Sequence, residues 1–248
     1  MPFGTLSVND EPIPVFAPSY STGLIHYSDM SAIFITYRTL AANVRPFVPN
    51  VLELDDEPLI TAAVVVYPMS TLGAYNEYFH LVEVKYKNET FNYPISMILD
   101  NEAAIFLGRE MYGYPKVFGA VSLEHSTGSA TFLGTVEKPK GRRLVQVEFT
   151  PEKPLEKENA PPRESMRVLG LRVIPSPVAG AKASVKELVP SQMVMRGGET
   201  WVGKGSISFP THMESHPMHK LKVVKYEACV YIRGASATIF PADVTYSL

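Results

Sequence analysis

One short segment combines a helix start, a helix stop and a lysine in apolar surroundings. Asp100 or Asn101 can act as the N-cap, and apolar residues follow at helical spacing. Gly113 and Pro115 then break any helix, and Lys116 comes next. The neighbours of this lysine in the sequence are aromatic or β-branched: Tyr112, Tyr114, Val117 and Phe118. The segment therefore predicts a short helix that leads to a lysine held on rigid backbone.

A lysine in such surroundings can have unusual chemistry. Burial disfavours the ammonium form and lowers the pKa of the amine from its ordinary value of about 10.4. The neutral amine can attack a ketone and form an imine, which accepts electrons when a neighbouring bond breaks. The alternative is a lysine whose aliphatic stem packs on aromatic rings while its ammonium group reaches water. The local sequence is compatible with both.

The composition is that of an ordinary globular protein, with 46% hydrophobic and 19% charged residues. The formal net charge of −2 argues against a nucleic-acid-binding surface. Cys229 is the only cysteine, which excludes an internal disulfide and favours a reducing compartment. No apolar run approaches the length of a membrane span, and the first residues lack a signal-peptide pattern. We therefore expect a cytoplasmic protein without a membrane partner.

The remaining sequence predicts a single α+β domain of many short strands. Residues 1–32 contain four prolines and predict an extended arm, and residues 151–164 contain four more and predict a polar surface loop or flap. A short helical stretch is expected at 41–47. Strands are expected at 32–37, 59–67, 79–86, 90–99, 120–123, 129–136, 142–149, 165–174, 185–194, 199–209 and 221–233. This pattern indicates a curled, mostly antiparallel sheet or barrel.

The residues around Lys116 resemble the active-site signature of the acetoacetate decarboxylase family. Three blocks recur there in this order: Asp-Asn-Glu at 100–102, Gly-Arg-Glu at 108–110 and Tyr-Pro-Lys at 114–116. Upstream blocks also match, among them Tyr-Arg-Thr at 37–39 and Leu-Gly-Ala-Tyr-Asn-Glu at 72–77. The resemblance covers residues 25–120 well and the C-terminal half loosely. It implies a cone-like β-barrel with a few short helices, a homo-oligomer, and Lys116 as the Schiff-base lysine without any other cofactor.

The same resemblance implies that Glu77, just after a glycine turn, is a carboxylate near the amine. It could shuttle protons during imine formation and enamine protonation, whereas the alternative is a solvated loop glutamate. Tyr75 would point to the same side of an extended backbone and could donate to a substrate oxygen or pack in the core. Tyr112 and Tyr114 are further candidates for substrate contact or packing, and Tyr246 is a candidate cap of the pocket by analogy.

Three positions depart from the family pattern. Val117 stands where the decarboxylases have a second lysine, Met30 where they have an arginine, and Ala63 where they have a second glutamate. These changes remove charge from the substrate pocket, and we expect a substrate larger or less charged than acetoacetate, such as a polyketide-like acid. We also expect Val117 to help keep water from Lys116.

Two other groups of polar residues have competing interpretations. The spacing of His212, His216 and His219 could ligate zinc on a helix or a hairpin. Pro217 interrupts this stretch and Pro210 precedes it, so the favoured interpretation is a polar loop over the mouth of the cavity, with no metal. Arg109 and Glu110 are expected to close the helix and to act as scaffold for the lysine loop.

These features predict a Schiff-base-forming lyase that acts on a small keto substrate, with Lys116 as nucleophile and Glu77 moving protons. Decarboxylation of a β-keto acid is the family's main reaction and is the favoured one here. Members that lack the decarboxylase charges but keep Tyr-x-Glu and the lysine resemble aldolase-dehydratases, which gives one alternative. A non-catalytic protein that binds an apolar ligand, and a hydrolase or cyclase that forms no imine, are the others.

Overall fold

The computed structural model describes residues 1–125, 127–156 and 165–248. Within these ranges the chain forms thirteen strands and two α-helices. The strands β1 to β13 are, in chain order, Ile25–Arg38, Leu59–Tyr67, Met69–Ser70, Tyr75–Tyr86, Glu89–Leu99, Lys116–Phe118, Ala120–His125, Phe132–Glu137, Arg143–Pro154, Met166–Ile174, Val185–Ser208, Lys225–Phe240 and Tyr246–Ser247. The α-helices are α1 (Ala41–Val44) and α2 (Glu102–Tyr112), and two 3-10 helices lie at Arg45–Phe47 and Pro217–Lys220.

The strand pairing follows a path that returns to its start. Strands β10, β5, β4, β2, β1, β12 and β11 are neighbours in this order, and β11 pairs again with β10. Every pair on this path is antiparallel except β10–β5, which meets through the single parallel pair Val168 and Asn92. Strand β11 continues beyond the path and pairs with β9, which leads to β8 and β7. The predicted class, a mostly antiparallel β fold with a few short helices, is confirmed.

The curled sheet is buried on both faces, and strand β2 shows why. Its residues are apolar except for Thr61 and the hydroxyl of Tyr67. Ala63 and Val65 belong to one cluster of buried side chains, and Val64 belongs to a second cluster on the other face. Helix α2 covers the face that carries Ala63 and Val65, which we call the cavity face. Strands β7 to β9 cover the opposite face, which carries Val64. A Cβ on Gly134 of β8 would lie 2.9 Å from Val64 Cγ2, so glycine is what lets the two layers approach. The predicted strand at 59–67 is confirmed.

The N-terminal arm is shorter than predicted, because strand β1 begins at Ile25 and not at residue 32. The first part of this strand is irregular. Asp29 has a φ of 56°, and the register against β12 shifts between Tyr27 and Met30. A bulge of this kind interrupts the alternation of apolar and polar residues on which a strand prediction depends.

The C-terminal half has longer strands than predicted. The expected strands at 185–194 and 199–209 are one strand, β11, because Gly197 and Gly198 adopt positive φ inside a continuous ladder and do not form a turn. Residues 151–154 of the expected loop belong to β9, which pairs with β11 as far as Pro154 opposite Trp201. Residues 157–164 of that predicted loop lie outside the described residues.

A buried histidine organises a polar cluster on the opposite face of the sheet. His80 is fully buried, with Nε2 2.9 Å from the Tyr37 hydroxyl and Nδ1 2.6 Å from the Tyr78 hydroxyl. The Tyr37 hydroxyl donates to the Leu221 carbonyl, so it accepts from Nε2–H, and Nδ1 accepts from Tyr78. Burial lowers the pKa of His80 to about 3, so the imidazole is neutral and fully hydrogen-bonded at neutral pH.

Stability should therefore decrease in mild acid. Below about pH 6.5 the unfolded chain binds a proton at His80 that the folded chain does not, so the free energy of unfolding should fall by up to about 1.4 kcal/mol per pH unit. This contribution is fully present above pH 6.5 and is lost as the pH falls towards 3. His80→Gln should show a shallower loss between pH 7 and pH 5 in urea unfolding. An unchanged pH dependence would refute this origin of the acid sensitivity.

Candidate active site

Helix α2 and the turn after it fix the position of Lys116. The Asn101 side chain caps the helix by accepting from the backbone N–H of Ala104, at 2.9 Å. The helix continues to Tyr112, two residues beyond the charged pair that was expected to close it. Gly113 then adopts a φ of 67° and ends the helix, and Lys116 begins strand β6, parallel to β5. The lysine is therefore held on regular backbone, as predicted.

The aliphatic stem of Lys116 lies directly against helix α2. A Cβ on Gly108 would be 2.5 Å from Lys116 Cδ and 2.9 Å from Cε, so only glycine leaves room for this side chain. Arg109 Nη1 donates to the Lys116 carbonyl at 3.2 Å, which agrees with the expected scaffold role of Arg109. Glu110 instead accepts from the Tyr20 hydroxyl of the N-terminal arm at 2.6 Å. Helix and arm together hold the segment that carries the lysine.

Lys116 and Glu77 form a buried pair. Lys116 Nζ lies 3.0 Å from Glu77 Oε1, and the two side chains are 6% and 5% exposed. The contact has the distance of an ion pair but is not aligned as a hydrogen bond, so Oε1 accepts none from the described residues. Glu77 lies inside strand β4, opposite Val65, and not on the turn where the sequence had suggested it. The turn at Gly73 ends sooner than expected, and the strand begins at Tyr75.

A small cavity opens beside this pair. Its volume is about 30 Å³, enough for about one or two water molecules. The lining residues are aromatic, aliphatic or thioether-bearing apart from the pair itself: Tyr27, Tyr67, Glu77, Phe79, Met97, Tyr114, Lys116, Met166, Val168, Met193 and Ile239. Lys116 is the one cation among these described lining residues. A substrate can enter only when some of these side chains move.

Three tyrosine rings pack against one another at this end of the cavity. The Tyr67 ring lies 4.5 Å from that of Tyr27 and 4.7 Å from that of Tyr75, centroid to centroid. The Tyr27 and Tyr75 hydroxyls are 3.0 Å apart. Burial raises the pKa of all three phenols, so they keep their protons at neutral pH and can act as hydrogen-bond donors. Sequence reasoning named Tyr75 but missed Tyr27 and Tyr67, which line the cavity.

The other predicted pocket residues differ in whether they reach the cavity. Tyr114 lines it, and its hydroxyl contacts that of Ser191. Tyr112 stacks behind Tyr114 at 5.3 Å and does not line the cavity. Met30 and Ala63 lie on the cavity face but are fully packed within the core.

Three expectations about the surroundings of the amine are wrong. Val117, expected to shield Lys116, packs against the opposite face, because successive strand residues point in opposite directions. The Tyr246 ring packs against that of Tyr86, 5.2 Å away and at the far end of β4 from Glu77, so it cannot cap the pocket. The histidine stretch at 212–219 contributes Met218 to the core of the opposite face, so it does not cover the cavity.

The same histidine stretch shows no metal-binding geometry. The His212 and His219 rings stack on each other at 4.4 Å, and Lys220 donates to Glu214 at 2.7 Å. Over residues 1–125, 127–156 and 165–248, no three His, Cys, Asp or Glu side chains converge as metal ligands would. In the same ranges, no helix has the length and apolar character to cross a bilayer.

A buried lysine–glutamate pair thus lies on a curled, mostly antiparallel sheet, and comparison with known proteins gives the family. The acetoacetate decarboxylase (ADC) family model matches residues 12–244, and the chain belongs to this family. Decarboxylase DEC1 of Cochliobolus heterostrophus is 35% identical over 227 residues, which are 90% of this chain and 89% of that protein. The chain is therefore an enzyme of the lyase class, a decarboxylase or a close relative of one.

Two further relatives support the assignment to this family. Acetoacetate decarboxylase of Clostridium botulinum is 29% identical over 201 residues, 80% of each chain. A solved structure of acetoacetate decarboxylase superposes with a TM-score of 0.83 at 25% identity, covering 97% of this chain and 95% of that one. The similarity thus extends over almost the whole fold and is not confined to the lysine segment.

Proposed function

We propose that this chain is a Schiff-base decarboxylase of a β-keto acid that is larger or less polar than acetoacetate. The observation that carries the proposal is the buried contact of Lys116 Nζ with Glu77 Oε1, 3.0 Å apart in a cavity otherwise lined by uncharged side chains. Relatives named as decarboxylases support the type of reaction.

The first step is formation of the imine. Glu77 is placed to take the proton of the Lys116 ammonium, and this transfer turns two buried charges into a neutral pair without changing the net charge of the cavity. The free amine attacks the keto carbon and forms a carbinolamine. Glu77 returns the proton to the departing hydroxyl, which leaves as water, and a protonated imine remains.

The second step breaks the carbon–carbon bond. The electron pair that joins the α-carbon to the carboxylate moves into the protonated imine, so carbon dioxide leaves and a neutral enamine forms. Glu77, which gave up its proton when the imine formed, takes another proton from solvent and delivers it to the α-carbon. Water attacks the resulting imine, which releases the ketone and restores the Lys116 amine.

The side chains that line the cavity support a substrate larger or less polar than acetoacetate. Met97, Met166 and Met193 all contribute to it, and Met166 and Met193 are cross-strand partners in β10 and β11. Both of these paired side chains are only half-buried. Methionine side chains are flexible and adapt to irregular apolar groups. They can therefore move aside and enclose an alkyl chain attached to the keto carbon.

The proposal is tested with straight-chain 3-oxo acids of increasing length, from acetoacetate to 3-oxodecanoate, by measuring carbon dioxide release. Each methylene that becomes buried should raise kcat/KM about fourfold, from about 0.8 kcal/mol of transfer free energy, until the chain exceeds the pocket. A maximum at acetoacetate would contradict the substrate assignment. Condensation of pyruvate with an aldehyde, without carbon dioxide release, would instead identify an aldolase-dehydratase.

Glu77→Gln should lower kcat about 100- to 10,000-fold, the usual range for loss of a general acid–base. The amide has nearly the same shape but cannot accept and return a proton. Glu83→Gln, on the same strand near its other end, is the matched control and should keep full activity. The measurement is carbon dioxide release at saturating 3-oxo acid. Activity within twofold of the wild type would show that Glu77 moves no proton in the slow step.

A further inference from the structure

The Tyr67 side chain is buried, and its hydroxyl borders the cavity without a hydrogen-bond partner among the described residues. Tyr67 is the last residue of β2, is 2% exposed, and lines the cavity together with Lys116 and Glu77. Its ring is held between two other tyrosine rings. Its hydroxyl is not one of the fully enclosed polar atoms that lack a partner, so it is open to the cavity. Buried hydroxyls usually have a partner, so an unpaired one that faces a cavity points to a ligand atom.

The proposed reaction needs such a donor. A β-keto acid carries a carboxylate into the cavity, but the charges of Lys116 and Glu77 cancel, and the other described lining residues are uncharged. Arginine, the usual partner of a buried carboxylate, is absent from this lining, and Met30 is packed in the core. The substrate anion must therefore be held by neutral donors.

The phenols at this end of the cavity can supply them. The Tyr27 and Tyr75 hydroxyls share one hydrogen bond, so one of their two protons is left to donate. The Tyr114 proton, by contrast, is used, because Ser191 donates to the Val168 carbonyl and so accepts from Tyr114. Burial raises the pKa of Tyr67, which keeps this phenol protonated.

Tyr67 also lies on the same face of the sheet as Glu77. Tyr67 pairs with Tyr75 across β2 and β4, and Val65 pairs with Glu77 two residues further along. Tyr67 and Glu77 thus lie on the same face, offset by about 7 Å along the strands. We propose that Tyr67, assisted by the spare proton of the Tyr27–Tyr75 pair, binds the carboxylate of the substrate while Lys116 holds its keto carbon. This inference rests on the proposed decarboxylase function.

Neutral donors suit the reaction better than a guanidinium would. They orient the carboxylate but compensate its negative charge only in part. Loss of carbon dioxide removes that charge from the cavity. Weak compensation of the carboxylate charge therefore raises the free energy of the bound acid more than that of the transition state, and this lowers the barrier. The tyrosine cluster would therefore favour bond cleavage as well as binding.

The test compares Tyr67→Phe with the wild type on two ligands: the straight-chain 3-oxo acid that the wild type decarboxylates fastest, and the ketone it yields. The variant should lose about 10- to 100-fold in kcat/KM for the acid, the effect of one hydrogen bond to a charged group. Borohydride inactivation by the ketone, which has no carboxylate, should change less than about threefold. Tyr93→Phe, a buried tyrosine of the opposite face, is the matched control and should change neither.

Each other outcome counts against the inference. Equal losses with the acid and the ketone would show that Tyr67 only supports the shape of the site. No loss with the acid would show that its hydroxyl does not touch the carboxylate. These results would leave the decarboxylase proposal intact, whereas a wild type that releases no carbon dioxide and traps no ketone would overturn both.

Discussion

Lys116→Met is expected to abolish turnover, with kcat reduced on the order of 10,000-fold or more, because methionine has no amine to form the imine. Methionine has a similar volume and can occupy the space beside Gly108, so the local packing should persist. Lys138→Met is the matched control. Lys138 lies near the same strand, with its Nζ 2.5 Å from the Phe118 carbonyl, but it is only half-buried and does not line the cavity.

The variant leaves the Glu77 carboxyl without its partner, and an unpaired buried charge is costly unless it binds a proton. The double variant Lys116→Met with Glu77→Gln removes this cost and should be folded and equally inactive. Carbon dioxide release and circular dichroism are the two measurements. A folded Lys116→Met protein that retains a tenth of the wild-type rate would eliminate the covalent mechanism.

Gly108→Ala should reduce kcat about 100-fold while leaving the protein folded. The new methyl group would lie 2.5 Å from Lys116 Cδ, so the lysine side chain must move. A displacement of about 1 Å at a reacting group can cost about 100-fold in rate. The fold should tolerate the change, because the clashing atoms belong to a flexible side chain and alanine favours the helix by about 1 kcal/mol over glycine.

Gly134→Ala should have the opposite effect: it should lower stability and leave kcat unchanged. Its new methyl group would meet Val64 at 2.9 Å between the two sheet layers, away from the cavity. Overpacking there should cost about 1–3 kcal/mol of unfolding free energy and leave kcat unchanged below the melting temperature. If Gly108→Ala kept full kcat, the contact with helix α2 would have no part in positioning the amine.

Local signals were sufficient for several elements of the fold. The cap at Asn101 and the left-handed Gly113 bound helix α2, and both act within one turn of the helix. Strand β2 was predicted with its observed ends, because a nearly continuous apolar run rich in β-branched residues is typical of a strand buried on both faces. In each case the interactions that fix the element lie close together in the sequence.

Other elements depend on distant partners. Gly197 and Gly198 give the same sequence signal for a turn as for a bulge, and only the pairing with β12 makes them part of one long strand. The irregular start of β1 has the same explanation, since β12 holds Ile25 and Met30 in place across a bulge. A single sequence contains no record of that register.

The candidate site was also predicted only in part, because some of its residues are brought together by distant strand pairing. Lys116 and Glu77 were found through resemblance to a family, and the structure places their side chains 3.0 Å apart. Met166 and Met193 were not found, because their proximity depends on the pairing of β10 with β11. Tyr67 did carry a signal, since it alternates with Ala63 and Val65 along β2 and so had to face the same side.

Trapping the imine on Lys116 tests the covalent mechanism itself. Borohydride is added to the wild-type enzyme with the ketone product, and the digested protein is analysed by mass spectrometry. The proposed mechanism predicts one modified peptide, which contains Lys116 and is heavier by the ketone minus water plus two hydrogen atoms. The adduct should be absent without borohydride and in Lys116→Met. Rapid decarboxylation with no adduct, or with the adduct on another lysine, would contradict it.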